Sequence, residues 1–452
     1  MKKKMLFVAM SILMFGCTTD DGGGKTEPEP TPTKEVLVAN NDEVTGKEDQ
    51  DLVISGILDN DELVNGARIS AVSEESENGI EITDNRDGTF TYVPADNFVG
   101  QDSFTYTICD TASPKNCETA TVTIIIEDAG TPEANDDQAQ TVESISIELK
   151  SLLENDVVVD DAAITSVDEV STNGGTVEIN DAGNVVYTPA AGFTGEDTFT
   201  YSLCDDDETA NCANATVTVT VYAPVAFNIP ADLQDYYQNL AFSDVEELNY
   251  QLLADLTEAK HTTRLSYTDR HDYLYEADAD VVHQDSVVLM YSGERRYWRE
   301  YTSGSNSYSP QTFNTEHIYP QSLLASDEAK NDLHLLRVAD ANVNSERLNY
   351  PYGDGSGEYG LVGDEVFYPG DEWKGDVARI IMYVNLRYGE GFSTVGGLDL
   401  FLEWNREDPV SAFELQRQEV IEAAQGDRNP FIDNPYLATL IWGGEPAENT
   451  WE

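Results

Sequence analysis

From residue 36 to about 222 the apolar positions alternate with polar ones in short runs. Phe90 and Tyr92, Phe104 and Tyr106, then Val122, Ile124 and Ile126 are separated by stretches of Gly, Asp, Asn and Pro. A period of two places one set of side chains on one face of an extended chain, so this pattern predicts half-buried strands. After Tyr222-Ala223-Pro224 the period lengthens. Leu248, Leu252, Leu253 and Leu256 follow Ser243-Asp244-Val245-Glu246, the sequence form of a capping box, and predict a helix. Val377, Ile380, Ile381, Val384 and Tyr388 line one helical face from Asp376 to Gly389, and Pro409, Ser411 and Glu414 open a further helix that ends at Gly426. The pattern therefore predicts a β-rich first half and an α+β, mostly helical second half.

The β-rich half is an internal repeat with a constant offset of 95 residues. Leu58 to Asp61 (LDND) returns as Leu153 to Asp156 (LEND), and residues 91–110 (TYVPADNFVGQDSFTYTICD) return as 186–205 (VYTPAAGFTGEDTFTYSLCD). About 95 residues of short strands with frequent turn signals suggest a β-sandwich. The two units, 36–128 and 131–222, resemble the cadherin-like and immunoglobulin-like repeats of bacterial surface proteins. Cys109 and Cys117, and again Cys204 and Cys212, stand at identical spacing. In a chain bound for an oxidising compartment they read as two local disulfides, and their spacing fits no zinc pattern. Acidic turns such as Asp59-Asn60-Asp61 read as solvated turns before they read as calcium sites.

That compartment is inferred from the first residues. Lys2 to Lys4 precede an apolar run from Met5 to Phe15, too short to span a membrane as a helix, and the run closes on Leu13-Met14-Phe15-Gly16-Cys17. The ending resembles a lipobox. It implies that residues 1–17 are a lipoprotein signal peptide, with cleavage before Cys17, acylation of that thiol, and anchorage in an outer membrane at the cell surface. Residues 18–35, rich in Gly, Pro, Thr and charge, read as a tether.

Charge narrows the partners. The chain carries 85 Asp and Glu against 25 Lys and Arg, a formal net charge of −60. From residue 226 onward there are about 15 basic and about 41 acidic residues. This balance weighs against tight non-specific nucleic-acid binding, and leaves room for a local basic cleft or a bound cation.

The chemistry concentrates between Phe313 and Asn349. Glu316-His317 follows a β-prone segment, Leu333 to Val338 reads as a short strand, and Asp340 caps the helix that begins DANVNSERLN. Strand, loop, strand and helix form a ββα unit able to bring Glu316, His317 and Asn344 together. Phosphodiester hydrolysis needs a base for water, a cation to stabilise developing negative charge, and a grip on the phosphate. One histidine can be the base. Glu316 and Asn344 supply hard oxygen ligands of the kind Mg²⁺ takes.

Five ordered blocks are similar to the bacterial endonuclease I family over about residues 230–443. They are NTEHIYPQS (314–322), DLHLLRVADANVNSERLNYPYG (332–353), KGDVARIIMYVNLRYG (374–389), LFLEWNREDPVSAFELQRQEVIEAAQGDRNPFIDNP (400–435) and LATLIW (437–442). The resemblance implies a ββα-metal nuclease domain over 226–445 that cuts DNA, and also RNA, without strong sequence choice and leaves 5′-phosphates. His317 is the implied general base. Glu316 and Asn344 are the implied ligands of one Mg²⁺, with Mn²⁺ or Ca²⁺ as substitutes. The chain departs from the family where many members have two histidines and it has His334-Leu335, and in a short inter-strand loop without the cysteines and phosphate-holding arginine of some members. Arg337, Arg347, Arg379 and Arg428 are then the candidates to grip phosphates, with Arg347 preferred and placed in the catalytic set. His261, His271 and His283 match no block and read as structural. The expected protein is a monomeric, lipid-anchored surface endonuclease without an identifiable protein partner. The alternative, a surface adhesin with a degenerate nuclease domain, is disfavoured by the intact Glu316, His317 and Asn344.

Overall fold

The computed structural model describes residues 36–452 apart from 208, 209, 267 and 284. The signal sequence, Cys17 and the tether expected within residues 1–35 lie outside the described residues. Two compact units are found, Met1–Gly130 and Thr131–Glu452.

In the first unit a four-stranded sheet runs in the order Asp42–Lys47, Cys117–Glu127, Gly100–Cys109, Arg68–Val72. A three-stranded sheet of Leu52–Ile54, Phe90–Tyr92 and Ile82–Asp84 accompanies it. The first strand pairs parallel with the last, whereas the long pair is antiparallel. Alternation does what it predicts: Phe104, Tyr106, Ile108, Val122, Ile124 and Ile126 are buried together with Ile54, Phe90 and Tyr92. Cys109 lies opposite Cys117 at the end of the long hairpin and the two are joined by a disulfide. The Asp61 carboxylate accepts from the Tyr106 hydroxyl (3.0 Å) and the Asn40 N–H (2.8 Å), so this acidic turn braces the sandwich.

The second sandwich repeats the plan inside the second unit. Its large sheet is ordered Ala163–Val167, Gly195–Cys204, Cys212–Tyr222, Asp137–Val142, its small sheet Thr176–Ile179, Val185–Thr188, Ile147–Leu149, and Cys204 is bonded to Cys212. Both expected disulfides and both immunoglobulin-like sandwiches are thus present.

The remainder of the second unit is mostly helical. The helix Lys374–Tyr388 is its axis, buried on nearly every side and ended by Gly389 in the left-handed conformation (φ 69°), which glycine adopts without a Cβ clash. Ser411 and Glu414 form a true capping box ahead of Ala412–Gln425. At the first helix the expected box is absent. That helix runs Glu246–Lys260, and the Ser243 hydroxyl instead accepts from Val245 N–H (3.1 Å) while Ser243 exchanges two hydrogen bonds with the buried Asn249 side chain. Leu248 completes a small apolar cluster with Val142 and Ile145 of the second sandwich, with Leu252 and Tyr222 packed against it.

This last contact has a measurable consequence. Full burial of one leucine contributes about 1.5–3 kcal/mol, so a fragment of residues 131–452 is expected to unfold in urea at a higher midpoint than one of residues 226–452. Tryptophan fluorescence follows both, because all five tryptophans lie at or after position 298. Equal midpoints would show that the shared cluster contributes nothing.

Candidate active site

The strand Phe313–His317 pairs antiparallel with Leu336–Asp340, setting Glu316 opposite Arg337 and His317 opposite Leu336. The second strand is buried up to Ala339 because it lies between two cores: Leu336 and Val338 join Phe313 and Leu274 in one, while Ala339, with Leu335 just before the strand, joins Ile318 and Tyr319 in the other. The expected strand Leu333–Val338 begins in fact with a 3₁₀ turn, Leu333–Leu335, and becomes extended at Leu336. Asp340 then caps the helix Ala341–Arg347, accepting from Asn342 N–H at 2.8 Å.

That helix delivers Asn344 to the first strand. Its Nδ2 donates to Asn314 Oδ1 (2.9 Å) and to the Thr315 carbonyl (3.1 Å), the peptide that precedes Glu316. Both amide protons are committed to the strand, which leaves Oδ1 as the atom with which Asn344 can take a cation.

Glu316 is 3 % exposed. Its Oε1 accepts from the Tyr291 hydroxyl at 2.9 Å and faces Arg347 Nε at 3.2 Å, close enough to pair as ions though not aligned for a hydrogen bond. Burial pushes the carboxyl up to about 7 against the opposing pull of Arg347 and Tyr291. Its carboxylate and Asn344 Oδ1 are hard oxygens of the kind a divalent cation takes.

His317 is half-buried. Its Nε2 is 3.1 Å from the Lys330 carbonyl. A carbonyl can only accept, so Nε2 carries the proton and Nδ1 keeps its lone pair. Burial drives the imidazolium pKa down to about 4, with the charges of Arg270, Arg347 and Lys330 acting the same way and the Lys330 carbonyl bond opposing. The ring is neutral at physiological pH, as a base must be.

The structure thus brings Glu316, His317 and Asn344 to one strand–helix corner. It treats the four arginines differently. Arg347 is fully buried, donates to the carbonyls of Ile318 (2.9 Å) and Leu348 (2.8 Å), and lies over the Tyr352 ring. It cannot grip a phosphate or touch reacting atoms; it holds Glu316. Arg337 is paired with Asp278 and Asp376 between the rings of Trp373 and Phe413. Arg379 makes a two-pronged pair with Glu414 (2.7 and 2.8 Å). Arg428 is engaged by Asp433, Glu419 and Glu422. All three are buried, and a guanidinium committed to carboxylates in the core has no fork to offer substrate. The expectation that these arginines bind phosphate is therefore corrected to a structural role.

Of the remaining histidines, His334 is enclosed against Tyr383 (4.5 Å between rings) with Nε2 3.3 Å from the Asp427 carbonyl, so it is a hydrogen-bonded core residue. His261 lies beside Asp332 and Asp427, with the three ligand atoms within 4.8 Å of one another and His261 Nδ1 lacking a hydrogen-bond partner. This buried trio could also hold an ion, away from the base. His271 lines a groove of about 520 Å³ into which His317 opens, together with Arg270, Tyr275, Trp298 and Tyr301. Sequence reasoning missed this wall, and missed Tyr291 and Tyr352, which hold Glu316 and Ile318. Tyr291 and Leu348 adopt left-handed backbone (φ 71° and 51°), strain concentrated at the two ends of the Glu316–Arg347 pair.

A neutral imidazole beside a buried carboxylate and an anchored carboxamide is a side-chain set of the kind that phosphodiester hydrolysis needs, which makes a nuclease the class to compare. Residues 245–436 match the family model described as Endonuclease I, and residues 32–125 and 129–220 each match that of the bacterial Ig domain. An extracellular ribonuclease of Bacillus amyloliquefaciens is 35 % identical over 206 residues, covering 40 % of this chain and 69 % of that protein. An extracellular ribonuclease of Bacillus subtilis matches over the same length at the same identity. An extracellular deoxyribonuclease of Aeromonas hydrophila is 32 % identical over 117 residues, 24 % of this chain and 51 % of that one. The chain belongs to the endonuclease I family.

Proposed function

We propose that this protein is a surface-exposed, lipid-anchored endonuclease that hydrolyses DNA and RNA with one divalent cation, Mg²⁺ by preference, little sequence choice and 5′-phosphate products. The observation that carries the reading is the fixed corner of Glu316, His317 and Asn344, with Nδ1 of a neutral imidazole and Oδ1 of an anchored amide left unspent. His317 Nδ1 takes the proton from the attacking water while the Lys330 carbonyl keeps the ring in the productive tautomer. Glu316 and Asn344 hold the cation, which supplies positive charge beside the phosphate and the leaving oxygen. Arg347 and Tyr291 keep Glu316 in place. Related extracellular enzymes of both ribonuclease and deoxyribonuclease name support a broad nucleic-acid range. Cys17 would carry the lipid, residues 18–35 the tether, 36–128 and 131–222 the spacer sandwiches, and 226–445 the catalysis.

The test is digestion of plasmid and of ribosomal RNA by protein lacking residues 1–17. Cutting is expected with Mg²⁺ and none with EDTA, and Glu316→Gln and Asn344→Ala should each raise the Mg²⁺ concentration that half-saturates activity. An enzyme indifferent to EDTA, or an unchanged metal titration in both variants, would remove the ligand assignment. No cutting of either polymer would remove the function.

A further inference from the structure

We propose that the groove beside His317 is a nucleobase subsite in which an unstacked base of single-stranded nucleic acid lies on Trp298. The inference rests on the nuclease reading and specifies the substrate form that this site takes.

Trp298 is an unusual tryptophan for this chain. Trp404 and Trp451 are 1 % exposed, whereas Trp298 is 36 % exposed and lines the groove. Its position is nonetheless fixed. It opens a 3₁₀ turn, Trp298–Glu300, directly after the strand Arg295–Tyr297, and its backbone N–H donates to the Asp285 carbonyl at 3.1 Å. The Arg299 guanidinium stands 5.0 Å from the ring centroid. An exposed aromatic ring with a cation over one side is a usual platform for a base, since every base has a π-face and stacking needs no sequence code.

The wall continues into the catalytic strand. Tyr275 and Tyr301 stack at 5.5 Å, and Tyr275 meets Phe313, the first residue of that strand, edge-on at 5.8 Å. Tyr275 and Tyr301 are therefore packed onto the strand that carries His317, and Trp298 lines the same groove, so a base on Trp298 lies in the groove into which the imidazole opens. Asn314, Thr315 and Gln321 add polar groups for a base edge or sugar. The volume of about 520 Å³ is of the size that takes one ring system with its sugar.

Charge selects this side of the site for a polyanion. The groove lining contains one carboxylate, Asp272, and one arginine, Arg270. On the side of Tyr291 a second cavity, of about 630 Å³, is lined by Asp280, Glu294, Glu358, Asp371, Glu372 and Asp376 without a lysine or arginine. In a chain of net charge −60 the strand is repelled from that cavity and admitted at the groove. A duplex keeps its bases stacked on each other and cannot use Trp298, so the platform favours single strands.

The experiment measures binding without turnover, in EDTA and low salt, by residues 18–452. The probes are fluorescein-labelled hexathymidylate and a hexamer of abasic tetrahydrofuran sites with the same phosphates. The unmodified protein is expected to prefer thymidylate by about 5- to 150-fold, the usual worth of one stacked base. Trp298→Ala should lose that preference and Trp298→Phe should restore part of it, with circular dichroism confirming that both fold. Equal affinity of the unmodified protein for the two strands, no binding of either, or an undiminished preference in a folded Trp298→Ala would each overturn the subsite. Cutting of plasmid or of ribosomal RNA with Mg²⁺ alongside equal affinities would remove the subsite alone; absence of cutting of both would remove the nuclease reading itself.

Discussion

His317→Ala is expected to lose at least ~10²-fold in cleavage rate at saturating Mg²⁺ while the protein stays folded. A positioned base is usually worth that much or more, and the side chain spends little on stability. It is half-buried, and its one hydrogen bond is between Nε2 and the Lys330 carbonyl, worth about 1 kcal/mol net. Lys330 O keeps a second donor, Arg270 Nη1 at 2.6 Å, so the carbonyl is not orphaned by the change. The Mg²⁺ concentration for half-saturation should stay near that of the parent, because the proposed ligands are on other residues. That separates a lost base from a lost cation. Measurement is of initial rates on plasmid across a metal titration, with the urea midpoint as control. A rate near the parent's would show that another group activates water.

What the sequence discloses here depends on how local each determinant is. Strand faces in the sandwiches were legible because alternation is a property of neighbours: Phe104, Tyr106 and Ile108 point one way whatever the rest of the fold does. The 95-residue repeat then doubled the information, and the cysteine pairs sit at the ends of one hairpin in each unit. That Glu316, His317 and Asn344 meet at one strand–helix corner was legible through their motif blocks. Tyr291 and Tyr352 were not, since they reach Glu316 and Ile318 from 25 and 34 residues away and belong to no periodic pattern. The arginines failed for a related reason. A guanidinium looks the same in sequence whether it meets phosphate or carboxylate, and only the placement of Asp278, Asp376, Glu414 and Asp433 around Arg337, Arg379 and Arg428 decides. The Ser243 box failed because Asn249, on the helix itself, competed for the Ser243 backbone groups. His271 and Trp298 carry no local mark at all; their meaning comes from the groove.

Arg347→Ala should destabilise the nuclease region by about 3–5 kcal/mol, the range for removing one partner of a buried ion pair. Glu316 would be left inside without its guanidinium, though with the Tyr291 hydroxyl; the Leu348 carbonyl would lose the Arg347 donor, and the Ile318 carbonyl would keep that of Tyr352. Because the five tryptophans all lie at or after position 298, urea unfolding followed by tryptophan fluorescence reads this region in the intact chain. A second readout separates positioning from mere stability. With Glu316 unclamped, half-saturation by Mg²⁺ should move to higher concentration in the molecules that remain folded, whereas a change that only loosened the core would lower the active fraction and leave that concentration unmoved. The double variant Arg347→Met with Glu316→Gln should recover much of the stability, since both charges leave the interior together, and should recover none of the activity, since a metal ligand has gone. An Arg347→Ala protein as stable as its parent would mean that Glu316 is neutral and needs no counter-charge; recovery of activity in the double variant would mean that Glu316 does not hold the cation.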